Sequence, residues 1–272
     1  MGRCIFLFSL LLFQVKASAS AKIADITTLP DYAPYTSLTS NSNGSRLTET
    51  IMPGEDSKKL SGYSWDIVRE SLHAAGWGIR LTVLPWPRAL KFFESGKTQA
   101  LWPTGKNEER LKKYSYSERK INSSNFIVYT KKGSEFPWDG LKSLKGRKIL
   151  VKRGFNYGTE WNRHKKDINT KDVLTILQGF LMVNRGRADG FAGYDVNWDY
   201  VLANNSKGLK ESEFIKLPPF GKAEEFLVTM TNLPQNREIL KAFDTGKAII
   251  IANGRFAEIQ KKWSPFISSI NK

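Results

Sequence analysis

Apolar and polar residues alternate with two different periods along the first half of the chain. In residues 64–76 the apolar positions recur every three or four residues, which predicts an amphipathic helix that stops at Gly76. Residues 79–83 alternate apolar and polar positions and predict a strand, residues 86–94 return to the helical spacing, and residues 100–102 form a short apolar strand. Strands that alternate with helices favour a parallel or mixed sheet covered by helices.

The same alternation begins again after Asn125. Residues 126–129, 148–151 and 223–230 predict strands, and residues 172–183 carry their apolar positions on one helical face. The last forty or so residues predict helices, with Pro234 near a start and Gly254 between two of them. Residues 37–59 are rich in Ser, Thr, Asn and Gly, show no period and predict a long loop. The chain therefore contains two successive α/β units.

The amino terminus has the pattern of a secretory signal peptide. Arg3 precedes an apolar run at residues 4–15, and small residues near Ala19 form a cleavage site. Because the run is shorter than the roughly 20 residues that a helix needs to span a bilayer, we predict cleavage rather than a membrane anchor. We expect residues 1–21 to be removed, with cleavage after Ala19 as the alternative. The mature protein would begin at Lys22, and we expect it to be periplasmic and to contain no integral membrane segment.

Composition narrows the possible chemistry. Of 272 residues, 40% are hydrophobic and 25% are charged, as in a globular protein with a buried core. The 42 basic and 26 acidic residues leave a net charge of +16, which is compatible with nucleic acid, anionic lipid or an anionic small molecule as a partner. The single cysteine, Cys4, lies in the predicted signal peptide, and the chain has two histidines. We therefore expect no disulfide, no metal site and no cofactor.

Enzyme motifs are incomplete in this sequence. Residues 96–98 resemble the end of a phosphate-binding loop, but Lys91 stands where that loop requires a glycine. Asp66 replaces the closing glycine of a nucleophile elbow, and no histidine is placed to complete a triad. The basic run at residues 110–113 has aromatic neighbours, a combination typical of single-stranded nucleic-acid binders, but export would separate the protein from nucleic acid. We therefore predict no catalytic residue and no nucleic-acid partner.

Short motifs along nearly the whole predicted mature chain resemble those of the family 3 solute-binding proteins, the two-lobed periplasmic receptors of ATP-driven importers. The matching segments are DYAPY (31–35), GYSWDI (62–67), PWPRAL (85–90), NEERLKKYSYS (107–117), LKSLKGRKILVKRG (141–154), GRADGFAGYD (186–195) and GRFAEIQKKW (254–263). Each match is weak alone, but all occur in the order of the family. The resemblance implies an α/β fold of two lobes, each a mixed sheet flanked by helices, joined by two hinge strands. It places lobe 1 at residues 22–130 and 222–272, and lobe 2 at residues 131–221.

The resemblance also implies which residues bind the solute. A zwitterion buried between two lobes needs a cation for its carboxylate and an acceptor for its ammonium, because an unpaired buried charge is costly. Arg110 matches the family arginine that holds the carboxylate, and Asp195 matches the carboxylate that accepts the ammonium from the other lobe. The other implied ligand-binding residues are Tyr32, Tyr35, Trp86, Trp102, Thr104, Gly154, Phe155, Asn156 and Tyr157. We therefore expect Arg110 and Asp195 to face each other across one small cavity.

The implied residues would serve different parts of the solute. The aromatic ones would form a wall, and the turn at residues 154–157, between a strand and a helix, would present backbone amides to the carboxylate. Several positions depart from the family pattern, among them Gln99, which replaces a common acidic residue, and the long loop at residues 37–59. Asn107 replaces a threonine three residues before Arg110, and Pro103 has no amide to donate. These departures change the pocket from the one that the family pattern implies.

In function, the resemblance implies a monomeric periplasmic receptor. It would capture a small polar or zwitterionic solute, an amino acid or a derivative, and deliver it to the membrane permease of an ABC importer. Closure would be a population shift driven by contacts that the solute makes to both lobes. Three alternatives stay open: a dehydratase-like enzyme on this fold, for which Glu160 is the candidate acid near the glycine turn; a sensory receptor that meets no transporter; and a basic protein that binds DNA or anionic lipid with a steep salt dependence.

Overall fold

The computed structural model describes residues 22–39 and 46–267, so the predicted signal peptide lies outside the described residues. The strands are β1 (Ile23–Thr28), β2 (Asp31–Tyr32), β3 (Thr36–Leu38), β4 (Leu47–Ile51), β5 (Leu60–Ser61), β6 (Gly78–Val83), β7 (Ala100–Gly105), β8 (Tyr114–Tyr116), β9 (Asn122–Lys131), β10 (Lys148–Lys152), β11 (Asn169–Val173), β12 (Gly190–Tyr194), β13 (Phe214–Lys216) and β14 (Gly221–Met230). The α-helices are α1 (Tyr63–Ala74), α2 (Trp86–Glu94), α3 (Glu108–Lys113), α4 (Gly158–His164), α5 (Ile176–Asn184), α6 (Asp195–Ala203), α7 (Arg237–Ala252) and α8 (Arg255–Ile267).

A large mixed sheet connects the two halves of the molecule. Its strand order is β11-β10-β12-β9-β14-β7-β1-β6-β4, with β13 paired to β9 and β8 paired to β14. A first lobe contains β7, β1, β6 and β4, and a second lobe contains β11, β10 and β12. The strands β9 and β14 extend into both lobes. A separate three-stranded sheet, β2-β3-β5, packs beside α1 in the first lobe. The two-lobed α/β fold with two hinge strands is therefore confirmed.

Each lobe contains a group of parallel strands whose carboxyl ends point toward the other lobe. In the first lobe β1 pairs in parallel with β6 and β7, and in the second lobe β10 pairs in parallel with β11 and β12. Parallel neighbours require crossover connections, which include α1 between β1 and β6 and α4 between β10 and β11. Ligands of such sheets bind beyond the carboxyl ends of the strands. The cleft between the lobes is therefore the place to look for a site.

The strands β9 and β14 carry the chain from one lobe to the other and back. Residues 122–126 of β9 pair antiparallel with residues 221–225 of β14. Beyond this shared segment β9 pairs with β12, while β14 pairs with β7 and β8. The predicted limits of the lobes, 22–130 with 222–272 and 131–221, stay a prediction.

Close contact between α1 and α7 holds the first lobe together. A Cβ atom added to Gly246 of α7 would lie only 1.7 Å from the backbone oxygen of Ser71 in α1. The absence of a side chain at this position lets the two helices touch backbone to backbone. Deeper in the lobe the buried rings of Trp65 and Trp102 stack with their centroids 6.3 Å apart.

Most of the elements predicted from periodicity are present, and two predictions are wrong. Residues 172–183 do not form one helix, because Asp172 and Val173 end the edge strand β11, and α5 starts only after Thr175, whose side chain accepts a hydrogen bond from the Gln178 amide. Residues 37–59 are not a plain loop, because they contain the end of β3 and all of β4, which pairs antiparallel with β6. The missed strands β4 and β11 lie at the two edges of the large sheet and are largely polar, so they lack a hydrophobic period. Part of the predicted loop, residues 40–45, lies outside the described residues.

None of the helices in the described residues combines the length and the apolar character that crossing a bilayer would require.

Candidate functional site

A small cavity, called here the inner cavity, lies between the lobes at the carboxyl ends of their parallel strands. The first lobe and the crossing strand β14 line it with Leu29, Tyr32, Trp86, Pro103, Gly105, Arg110 and Glu225, and the second lobe lines it with Phe155, Asn156 and Tyr194. Its volume is about 20 Å³. A single water molecule needs roughly 10–15 Å³ of such space. The lobes are therefore closed, and any solute larger than a few atoms requires the cavity to widen.

A wider space, the outer cleft, adjoins the inner cavity and has a volume of about 430 Å³. It lies between α3 of the first lobe and the β10-α4 region of the second lobe, and Gly154, Tyr157, Arg110, Phe155 and Asn156 are among its lining residues. The last three of these also line the inner cavity. Arg110, Phe155 and Asn156 therefore form the partition between the two spaces. A solute that moved from the outer cleft to the inner cavity would pass these three residues.

Arg110 brings a cation with unused hydrogen-bond donors to this partition. It lies in α3, whose first turn is fixed by Asn107, because the Asn107 side chain accepts a hydrogen bond from the Arg110 amide at 2.8 Å. The guanidinium donates to the backbone oxygen of Gly105 at 3.2 Å and lies 5.9 Å from the ring of Trp86. Among the described residues it forms no ion pair. A guanidinium has five donors, so the geometry leaves it able to bind an anionic group.

Glu225 brings a buried carboxyl group to the same cavity. Its side chain is 5% exposed, and Oε1 accepts a hydrogen bond from the Tyr32 hydroxyl at 2.9 Å. Within the part of the chain that the structure describes, Oε2 has no hydrogen-bond partner. Burial raises the pKa of Glu225 to about 7, although Tyr32, Asn122 and Arg110 each act to lower it. The inner cavity therefore contains a guanidinium and a carboxyl group that do not pair with each other.

The expectation that Asp195 faces Arg110 across this cavity is not met by the geometry. Asp195 opens α6, and its two carboxylate oxygens accept hydrogen bonds from the backbone and side-chain amides of Asn125 at 3.0 and 2.8 Å. One oxygen also accepts from the Val196 amide at 2.8 Å. The carboxylate is thus bound to the crossing strand β9 and does not line the inner cavity. Three hydrogen bonds already hold this carboxylate, because the strand passes directly beside the start of the helix.

The predicted aromatic residues divide into two groups. Tyr32 and Trp86 line the inner cavity, where Phe155 of the second lobe meets them with ring centroids 5.6 and 6.4 Å away. Tyr35 is fully buried behind them, and its hydroxyl donates to the backbone oxygen of Ser123 at 3.0 Å.

Trp102 and Thr104 are also buried and do not line the inner cavity. Side chains alternate along a strand, so Pro103 and Gly105 of β7 face the cavity while these two residues face the core. The predicted wall is therefore present on one side of β7 only, and Pro103 forms part of it in place of Trp102.

The turn at residues 154–157 contacts the first lobe differently from what was expected. The Gly154 carbonyl accepts a hydrogen bond from the Trp86 indole at 2.9 Å, and the Asn156 side chain donates to the backbone oxygen of Lys106 at 3.0 Å. Two amides of this region bond within it, because Phe155 donates to the Lys152 oxygen and Gly158 donates to the Asn156 side chain. Tyr157 lines the outer cleft, and its hydroxyl accepts from the Lys152 amide. The turn thus closes the lobes through its carbonyl and side chains.

Two further contacts between the lobes were missed by the sequence analysis. The Lys152 ammonium, on a side chain that is 4% exposed, pairs with the Asp31 carboxylate at 2.8 Å. Asn197 of α6 donates to the backbone oxygens of Tyr32 and Ala33 at 3.1 and 3.0 Å. Lys152 ends β10 directly after three apolar residues, and a charged residue is rarely buried without a partner. That signal could have indicated an ion pair across the cleft.

Five residues of the inner cavity were also absent from the predicted site. They are Leu29, Pro103, Gly105, Tyr194 and Glu225. Glu225 alone carried a readable signal. It alternates with the exposed Glu224 along β14, so one of two adjacent carboxylates had to point inward. A buried carboxylate in a strand is uncommon enough to mark a candidate site.

The fold and the cavity together define a two-lobed binding protein of the periplasmic type. The sequence model of the family described as "Bacterial extracellular solute-binding proteins, family 3" matches residues 49–266. The chain belongs to this family.

Comparison with solved structures shows the same fold. An amino acid ABC transporter substrate-binding protein from Streptococcus pneumoniae, AbpA bound to L-arginine, is 14% identical with a TM-score of 0.67, and the match covers 92% of this chain and 97% of that one. A histidine kinase sensor domain with similarity to periplasmic binding proteins is 17% identical with a TM-score of 0.70, and the match covers 88% and 95%. The ligand-binding core of GluR0 from Nostoc punctiforme, in complex with L-glutamate, is 17% identical with a TM-score of 0.66, covering 88% and 98%. A comparison with curated protein sequences gives no match.

Proposed function

We propose that the protein is a periplasmic receptor that binds one small polar solute, an amino acid or a derivative, between its lobes and delivers it to an ABC importer. The observation that carries this proposal is the guanidinium of Arg110, which lies in the partition between the inner cavity and the outer cleft with no ion pair among the described residues. A half-buried cation of this kind favours a solute with an anionic group. Residues of both lobes line the same space, so one bound solute would contact both.

Binding requires the lobes to separate. The inner cavity of about 20 Å³ is too small for an amino acid, so the closed arrangement must give way before the solute enters. The two crossing strands β9 and β14 are the connections about which a rigid-body opening would occur. A solute that contacts Arg110 from one side and the turn at residues 154–157 from the other favours reclosure, since it binds the closed form better than the open form.

A thermal-shift and calorimetry panel tests the proposal. The chain from Lys22 onward is purified and screened against the standard L-amino acids, succinate, putrescine and agmatine. A true ligand at a hundredfold excess over its Kd stabilises the folded protein by about 2.7 kcal/mol.

Arg110→Met should weaken the binding of a responding amino acid by about 30-fold or more, because removing one partner of a buried charge pair costs at least about 2 kcal/mol. Arg119→Met is the matched control, because Arg119 is exposed and lies outside both spaces. Equal loss in both variants, or no response of the wild type to any probe, would contradict the proposal.

The enzymatic alternative is tested in the same samples. Glu160, the acid considered from the sequence, lies on the surface of α4, where it pairs with Arg163 at 3.0 Å and with His164 at 3.1 Å. The carboxyl group that does line the inner cavity is Glu225. Mass spectrometry of the bound probe after incubation should recover it unchanged. A dehydrated product would instead favour an enzyme.

Delivery to a transporter is a separate part of the proposal. Deleting the gene should abolish uptake of the radiolabelled solute by intact cells, and restoring the wild-type gene should recover it. If uptake is unchanged while the purified protein binds the solute, the receptor serves sensing rather than transport.

A further inference from the structure

The inner cavity contains an acceptor that the folded protein does not use. Oε2 of Glu225 has no hydrogen-bond partner among the described residues, although the residue is buried and only 5% exposed. A buried acceptor without a donor is costly, so such atoms in native proteins call for a physical explanation. Glu225 lies where β14 is flanked by β9 and β7, since it pairs with Asn122 on one side and with Gly105 on the other. Pairing on both sides fixes the backbone at Glu225, whose side chain lines the cavity.

The other carboxylates near the cleft are already occupied. Asp195 accepts three hydrogen bonds from Asn125 and Val196, and Asp31 pairs with Lys152. Glu94, which lines the outer cleft, accepts a hydrogen bond from the Tyr114 hydroxyl at 2.6 Å.

Glu225 differs from these carboxylates because it also shares its cavity with Arg110 and with four aromatic rings. These rings belong to Tyr32, Trp86, Phe155 and Tyr194 and line the cavity around the two charged groups. A cation placed there would satisfy the free oxygen of Glu225.

We propose that Glu225, rather than Asp195, accepts the cationic nitrogen of a solute whose anionic group binds Arg110. This assignment rests on the proposed receptor function and names the class of solute: a small zwitterion with its two charges at opposite ends of the inner cavity. The Tyr32 hydroxyl holds Oε1 at 2.9 Å and leaves Oε2 for the solute. Aromatic rings beside a bound cation add an attraction of their own.

The assignment makes binding depend on pH in a defined direction. Because burial raises the pKa of Glu225 to about 7, the free protein must release a proton before the carboxylate can pair with a cation. Between pH 8 and pH 6 the ionised fraction falls about tenfold, so the affinity for an amino acid should fall about tenfold as well. Of the groups packed around Glu225, the pKa values of Tyr32 and Tyr194 are raised well above 10 by burial, and the Asn122 amide does not titrate. Guanidinium groups in general are protonated throughout this range. None of these groups changes charge in this range.

Isothermal titration of the chain from Lys22 onward tests the assignment. Each L-amino acid that responds in the panel is compared with the carboxylic acid that lacks its amine, for example L-phenylalanine with 3-phenylpropanoate, at pH 6 and pH 8. Glu225→Gln keeps the shape of the side chain and removes its charge. The neighbouring Glu224→Gln is the matched control, because Glu224 faces solvent and pairs only with the exposed Lys120 among the described residues.

The expected result has three parts. At pH 8, where Glu225 is ionised, removing the amine from the probe and changing Glu225→Gln should each weaken binding by about 30-fold, since each leaves one buried charge without its partner. Glu224→Gln should bind as the wild type does. The tenfold dependence on pH should be present in the wild type and absent in Glu225→Gln.

The outcomes separate this assignment from the proposed function. If the wild type binds an amino acid, Arg110→Met loses it and Glu225→Gln binds equally well, the receptor function stands and the role of Glu225 is refuted. Equal affinity for the acid without its amine, or wild-type binding that is independent of pH, refutes it without any variant. If no probe binds the wild type, the receptor function fails and the assignment fails with it.

Discussion

Replacing Glu225 by glutamine should stabilise the solute-free protein at alkaline pH and have little pH-dependent effect in acid. Burial raises the pKa of Glu225 from an ordinary value of 4.5 to about 7. Between these two pH values the carboxyl group is ionised in the unfolded chain but still protonated in the folded protein. The unfolded state binds fewer protons there, so the free energy of unfolding falls as the pH rises from the unfolded pKa to the folded pKa. Above pH 7 the loss is complete.

The size of the effect follows from the two pKa values. Each pKa unit is worth about 1.4 kcal/mol, so the rise to about 7 corresponds to about 3 kcal/mol of unfolding free energy. Glutamine keeps an acceptor for the Tyr32 hydroxyl and cannot ionise. Relative to the wild type, Glu225→Gln should therefore gain about 3 kcal/mol between pH 4 and pH 8.

Urea unfolding at pH 4, 6 and 8, followed by tryptophan fluorescence, measures this difference. Glu224→Gln provides the control, because the Lys120 ammonium lowers the pKa of Glu224 and the effect of that substitution should have the opposite sign. A constant difference between Glu225→Gln and the wild type across this range would show that the carboxyl group ionises normally in the folded protein. The account of a desolvated carboxyl group in the inner cavity would then be refuted.

Three other substitutions test contacts between the lobes, beside the cleft and within the first lobe. Asp31→Asn removes the ion pair with Lys152 and, because Asp31 is half exposed, should favour the open form by about 1 kcal/mol, which small-angle X-ray scattering would detect as a larger radius of gyration. Asp195→Ala should lower the free energy of unfolding by about 1–3 kcal/mol, since the Asn125 amides lose their acceptor. The affinity of this variant for an amino acid should stay within about twofold of the wild type. A large loss of affinity would instead show that Asp195 is a binding residue. Gly246→Ala should cost about 3 kcal/mol in thermal unfolding, because its Cβ would overlap the Ser71 backbone, and an unchanged melting temperature would contradict the close contact of α1 with α7.

The elements with strong hydrophobic periods were predictable because burial of one face leaves a repeat in the sequence. The helix α2 and the strand β6 were predicted within a residue of their observed ends. The edge strands β4 and β11 were missed for the converse reason, since they bury little and their residues are mostly polar. Their pairing partners, β6 and β10, hold them in the sheet through backbone hydrogen bonds that leave no mark on composition.

The candidate site was predictable where the motif itself includes the binding residue. Arg110 follows its capping Asn107 in one short segment, and Phe155 and Asn156 follow the strand that aims them at the first lobe. The alternation along β7 was not used in the sequence analysis, so Trp102 was placed in the site instead of its neighbour Pro103. Local sequence thus indicated the cation and most of the second-lobe contacts.

The hydrophobic periods of the sequence determined the α/β class of the fold and the order of most of its elements, because these depend on spacings of a few residues. Its resemblance to the family 3 solute-binding proteins implied that Arg110 lies at the cleft. Only the tertiary structure decided which carboxyl group shares the cavity with that cation. Asp195 bonds to Asn125, a residue far away in the chain, and Glu225 turns inward because β14 is paired between β9 and β7. Whether a carboxylate is satisfied or free depends on neighbours that folding brings together, and the surrounding residues in the sequence do not carry that information.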